Sequence, residues 1–79
     1  MDGKNYIQAF FQECEQKYKF VRLRCTTHIF QGLIPNNYEF YIKTAYSEQM
    51  FCFCAYYDEQ AIRKMKEILF DFLCREQLL

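Results

Sequence analysis

Two cysteines, Cys52 and Cys54, come nearer to a chemical motif than anything else in this chain. On a strand, residues two apart point to the same face, so both thiols share a side. With Cys25 and the single histidine, His28, on a neighbouring strand, these are the donor types of a thiolate–imidazole zinc site. The spacing does not complete one. A regular strand sends Cys25 and His28 to opposite faces, and no second pair stands at finger-like spacing. Free cysteine is among the most buried residue types, so the thiols read as packing groups and no metal is expected. A Cys–His nucleophilic pair would need a third, orienting group and an oxyanion hole, and nothing in the chain reads as a strained nucleophile turn. Gly3 and Gly32 are the only glycines, too few for a phosphate-cradling loop. The carboxylate pairs Glu13/Glu15 and Asp58/Glu59 fall on helix surfaces or starts, where solvation and the helix dipole account for them. The chain is therefore expected to be no enzyme and to hold no cofactor.

Binding chemistry is better represented. Lys17, Lys19, Arg22 and Arg24 lie within eight residues that contain no acid. Joined on one sheet face by Tyr41 and Lys43, Arg22 and Arg24 could track a phosphate backbone beside an aromatic ring. Arg and Tyr are equally the residues enriched among protein-interface anchors. Composition separates the two. Ten basic and ten acidic side chains leave a formal net charge of zero, whereas nucleic-acid binders carry a net basic footprint. Nine Phe and seven Tyr make a fifth of the 79 residues aromatic. Each buried ring removes roughly 150–250 Å² from water, and a chain of this size buries only about 60% of its unfolded surface. The aromatic content exceeds what such a core needs, so part of it belongs on the surface, where it marks contact sites.

The elements that position these groups follow from periodicity. Tyr6, Ile7, Phe10, Phe11, Cys14 and Tyr18 recur at helical spacing and predict a helix over 5–17, with Asn5 or Asp2 as its start signal. Val21, Leu23, Cys25, Thr27 and Ile29 alternate with Arg22, Arg24, Thr26 and His28, a first strand with its odd side inward. Gln31 to Asn37 is a connection of turn formers, with Leu33 and Ile34 expected to tuck against a sheet edge. Tyr38 to Tyr46 alternates again as a second strand. Ser47-Glu48-Gln49 is a polar break without glycine, best met by a longer loop built on a type I turn. Met50 to Tyr57 carries no charge and reads as a third strand with two apolar faces. Bulk favours Phe51, Phe53, Ala55 and Tyr57 inward, leaving Met50, Cys52, Cys54 and Tyr56 on the open face. Asp58 is the expected N-cap of a second helix. Its stripe is Ala61, Ile62, Met65, Ile68, Leu69, Phe72 and Leu73, with Phe70 and Cys74 off the stripe and partly exposed.

The expected fold is one compact α+β domain over 1–79. It has two layers in the order α-β-β-β-α, a three-stranded antiparallel sheet with both helices on one face. That order and length are similar to the double-stranded-RNA-binding domain. Phe11-Gln12-Glu13 stands where that family has an apolar-x-Glu in its first helix, and Ala61 where it has an alanine early in the second. A degenerate nucleic-acid binder of that type would use the basic residues Lys17, Lys19, Arg22, Arg24 and Lys43. At the start of the second helix, where the family carries lysines, this chain has Asp58, Glu59 and Gln60. In general type the chain also resembles the small single-domain inhibitors of phages and mobile elements, such as anti-CRISPR proteins, which act by docking on a larger machine.

The functional expectation is a small non-enzymatic protein that docks on a larger protein or complex, using Arg22, Arg24, His28, Tyr41, Lys43 and Tyr56. A nucleic-acid partner is the alternative, and a homodimer through the charge-free third strand is a further one. The N-terminus has no basic stretch followed by an apolar run, and no apolar run approaches ~18 residues. With an odd number of cysteines, this suggests free thiols in the cytoplasm and no membrane partner.

Overall fold

The computed structural model describes residues 6–30 and 33–78. Five elements follow in order: α1 (Tyr6–Lys17), β1 (Arg22–His28), β2 (Asn36–Lys43), β3 (Glu48–Ala55) and α2 (Asp58–Arg75). The strands form one antiparallel meander, β1-β2-β3, and both helices pack on one face of it. The α-β-β-β-α order and the two layers are those the periodicity predicts.

Alternation decides which side of the sheet faces the helices. On the central strand, Tyr38, Phe40 and Ile42 are fully buried. Their register partners continue the inner face. Leu23 and Cys25 lie opposite Ile42 and Phe40, and Phe53 and Phe51 lie opposite Tyr38 and Phe40. The Tyr38 and Phe53 rings stack with centroids 5.2 Å apart, and Phe51 meets Phe72 of α2 edge-on. Phe51, Phe53 and Ala55 of β3 therefore point inward, as bulk favours, but Tyr57, expected with them, lies past the strand end and is half exposed. From the helix layer, Phe10, Ala61, Met65, Leu69, Phe72 and Leu73 close the core.

Each outer edge of the sheet is tied to a helix at one point. The Glu15 carboxylate of α1 accepts from the Leu23 N–H at 2.8 Å. Lys64 of α2 donates to the Cys54 carbonyl at 2.8 Å. Charged side chains over unpaired strand groups are a common way to blunt an edge against further pairing.

Several boundaries differ from expectation. β2 begins at Asn36 rather than Tyr38, and the β2–β3 turn is Thr44 to Ser47, not Ser47 to Gln49. The cause is local. Thr44 Oγ1 accepts from the N–H groups of Tyr46 and Ser47, both at 3.3 Å, while the Thr44 N–H donates to the Ser47 carbonyl. A side chain bonding its own backbone competes with the ladder and wins. Tyr46 continues the alternation in sequence yet leaves the strand and is 97% exposed. β3 is displaced with the turn, so Glu48 and Gln49 join it while Tyr56 and Tyr57 fall beyond its end. Asp58 is not the N-cap of α2. Tyr57 holds that position in extended backbone (φ −156°, ψ 168°) without a side-chain cap; Asp58 is already helical, and its carboxylate accepts from the Tyr38 hydroxyl at 3.1 Å.

On β1, Val21 and Leu23 are buried and Cys25 half-buried, but Thr27 and Ile29 are exposed. Leu33 and Ile34 do not tuck against the sheet; Leu33 is 93% exposed. The expected helix starts, Asp2 and Asn5, lie outside the described residues.

Candidate functional site

The sheet face away from the helices is assembled by register. Across the three strands run the rows Arg22–Lys43–Glu48, Arg24–Tyr41–Met50, Thr26–Glu39–Cys52 and His28–Asn37–Cys54. Five of the six residues expected at a protein-binding face, Arg22, Arg24, His28, Tyr41 and Lys43, thus lie on one surface. Tyr56 does not share the grid. It sits one residue past β3, exposed, with its N–H donating to Gln60 Oε1 of α2 at 2.7 Å.

Contacts among these residues make a preorganised centre. The Arg24 guanidinium lies over the Tyr41 ring, 3.8 Å from its centroid, and also faces Glu48 Oε2 at 3.5 Å. Tyr41 in turn donates its hydroxyl to Glu39 Oε1 at 3.4 Å, and His28 Nε2 stands 3.6 Å from the same oxygen. A planar cation stacked on a ring presents a broad surface with few rotamers left to freeze on binding, which lowers the cost of association. Arg22 is held differently, donating to the carbonyls of Lys19 and Val21 at 3.3 and 3.0 Å.

The acids Glu39 and Glu48 went unremarked in the sequence because their strand partners are not evident until register is known. Between them they offset the charge of Arg24 and face His28. Of the residues assigned to a phosphate track, Lys19, Arg22, Arg24 and Lys43 gather towards one end of the sheet. Lys17 belongs to the helix layer, where its ammonium lies 5.4 Å from the centroid of the Tyr18 ring.

The opposite end of the sheet carries groups of which only Tyr56 was expected at a binding face. Ile29 and Phe30 follow β1, Leu33 and Ile34 precede β2, and Tyr56 and Tyr57 follow β3. All six are exposed, and they are half of the large apolar side chains exposed among the described residues. Phe30 is drawn to the start of β2 by its N–H donating to Asn36 Oδ1 at 3.3 Å. The signal for them was the apolar content of a segment otherwise rich in turn formers.

Cys52 and Cys54 are exposed on the open face. Cys52 Sγ is 3.6 Å from Met50 Sδ and Cys54 Sγ 3.8 Å from Asn37 Oδ1. Cys25 faces the core and His28 the open side. Among the described residues no cluster of three or more His, Cys, Asp or Glu side chains could hold a metal, and no helix is long and apolar enough to cross a membrane.

No protein-family model, curated protein or solved structure matches the chain.

Proposed function

We propose that this chain is a small non-enzymatic docking protein. It presents the open face of its sheet, continued over the apolar end, to a larger protein or complex. Its action is inhibitory, in the manner of the compact inhibitors of phages and mobile elements, and cytoplasmic, where five cysteines in no disulfide are at home. The observation that carries the reading is one open sheet face with the Arg24–Tyr41 stack towards one end and, beyond the other end, half of the large apolar side chains exposed among the described residues. Exposed aromatic and aliphatic side chains, together with Arg and Tyr on the open face, are residue types enriched at interface centres and anchors.

The test is affinity capture from host lysate with and without nuclease, using the wild type and the triple variant R22A/R24A/Y41A. The expected outcome is a protein partner that survives nuclease and is lost with the triple variant while the fold is kept. Capture unaffected by the triple variant overturns the choice of face.

A second reading is supported by Arg22 lying opposite Lys43 with Lys19 beside it. It is a degenerate double-stranded-RNA-binding-type contact through Lys19, Arg22, Arg24 and Lys43. It requires retardation of duplex RNA at low salt that falls steeply as salt rises.

A further inference from the structure

The groove between α1 and α2, on the side of the molecule away from the open sheet face, is built unlike a helix seam. It is open to solvent along its length and has a volume of about 660 Å³, within the range of small-molecule sites. Its floor is Phe10, Leu69 and Leu73, all buried, and Phe70 stands 59% exposed at its lip. Two cations border it, one from each helix: Lys17 near the end of α1 and Lys66 in the middle of α2. Lys66 Nζ lies 6.0 Å from the centroid of the Phe10 ring, over the floor.

We infer that this groove binds a small amphipathic acid, an aliphatic or aromatic carboxylate. Its apolar body lies on Phe10, Leu69 and Phe70, and its anionic head lies between Lys17 and Lys66. The charge complementarity is local. Lys17 comes to the groove from α1 and Lys66 from α2, and against them the lining holds one acid, Glu13. Glu13 is the acid at the same rim and sets the head to the lysine side. An apolar surface with convergent polar groups at one end orients such a ligand by the same division of labour seen in small-molecule pockets generally. Cys14 also lines the groove; burial first, then Glu13, raise the pKa of this thiol above the ordinary 9.0, which disfavours its thiolate.

The experiment is an amide NMR titration of isotope-labelled full chain with decanoate and, separately, with decanol. The expected result is saturable decanoate binding, with shifts confined to Phe10–Tyr18 and Lys66–Leu73. The double variant K17E/K66E should weaken decanoate about tenfold, as loss and reversal of two exposed charge pairs implies, and leave decanol unchanged. The spectrum of the variant reports its fold in the same measurement. F70S, at an exposed position, should weaken both ligands, and it serves as the test if the double variant does not fold. No saturable shift, equal response to acid and alcohol, indifference to both variants, or shifts centred on the open sheet face would each overturn the inference.

Discussion

Tyr38 shows how one residue serves several ends. Its ring is fully buried and stacks on Phe53, and its hydroxyl reaches Asp58 at the start of α2. The ring supplies apolar burial at the centre of the sheet, while the hydroxyl ties β2 to the second helix. Tyr38→Phe keeps the first and removes the second. Asp58 is partly exposed and stays hydrated when the partner is lost, so the expected cost is about 1 kcal/mol. A fall in the urea midpoint at unchanged m-value would show it, and an unchanged midpoint would show that the hydroxyl contributes nothing. At the same scale, Arg24 is spent on its neighbours: a ring below it and a carboxylate beside it. An exposed pair of this kind contributes little to stability, and its weight in the proposed function is as a fixed platform.

At the scale of elements, α2 is the one whose start departs from what a helix prefers. Ser, Thr, Asp and Asn are the favoured N-caps because a side-chain oxygen accepts an orphan N–H. Tyr57 supplies none, and only the acidic first turn, Asp58 and Glu59, favours the positive end of the dipole. Tyr57→Ser is expected to raise stability by about 1 kcal/mol while weakening capture of the protein partner. A cap position that carries a half-exposed aromatic at a cost in stability is what a contact surface at the sheet end would require. Loss of stability in this variant, or full retention of binding, would remove Tyr57 from that surface. The Thr44 turn acts on the same scale: by ending β2 early it sets the pairing Lys43–Glu48 and brings Glu48 within reach of Arg24.

On the scale of the whole molecule, a thin two-layer body of 40 × 27 × 16 Å leaves one sheet face without a second helix layer. Its core is small, and three groups at its margin are ionisable at alkaline pH. Burial raises the pKa of Cys14 and Cys25 above 9.0 and that of Tyr38 above 10.0. Each therefore holds its proton more tightly folded than unfolded. Their contribution is fully present below the unfolded values and is lost as pH rises through the folded ones. Stability should thus be flat to about pH 8 and fall as pH rises through the alkaline range. Urea titrations across that range should show the decline, and C14A/C25A should delay its onset. A flat profile would mean that these groups are as hydrated folded as unfolded.

What the sequence determined by itself was the set of elements and their inner faces. Helical and period-two spacing are carried by each segment alone, and an apolar stripe must be buried whatever its partner. Five residues of the open face, Arg22, Arg24, His28, Tyr41 and Lys43, were legible for the same reason, as the polar phase of two alternating strands. Tertiary structure decided where alternation stops counting. Thr44 bonded its own backbone and ended β2, leaving Tyr46 outside, and the inward phase of β1 stopped being covered after Cys25, leaving Thr27 and Ile29 exposed. It also decided which charges meet, since Glu39 and Glu48 become neighbours of His28 and Arg24 only through strand register. The gathering of Tyr56 and Tyr57 with Ile29, Phe30, Leu33 and Ile34, and the two-lysine groove, were closed to sequence reading because each joins segments distant in the chain. Only packing brings such segments side by side.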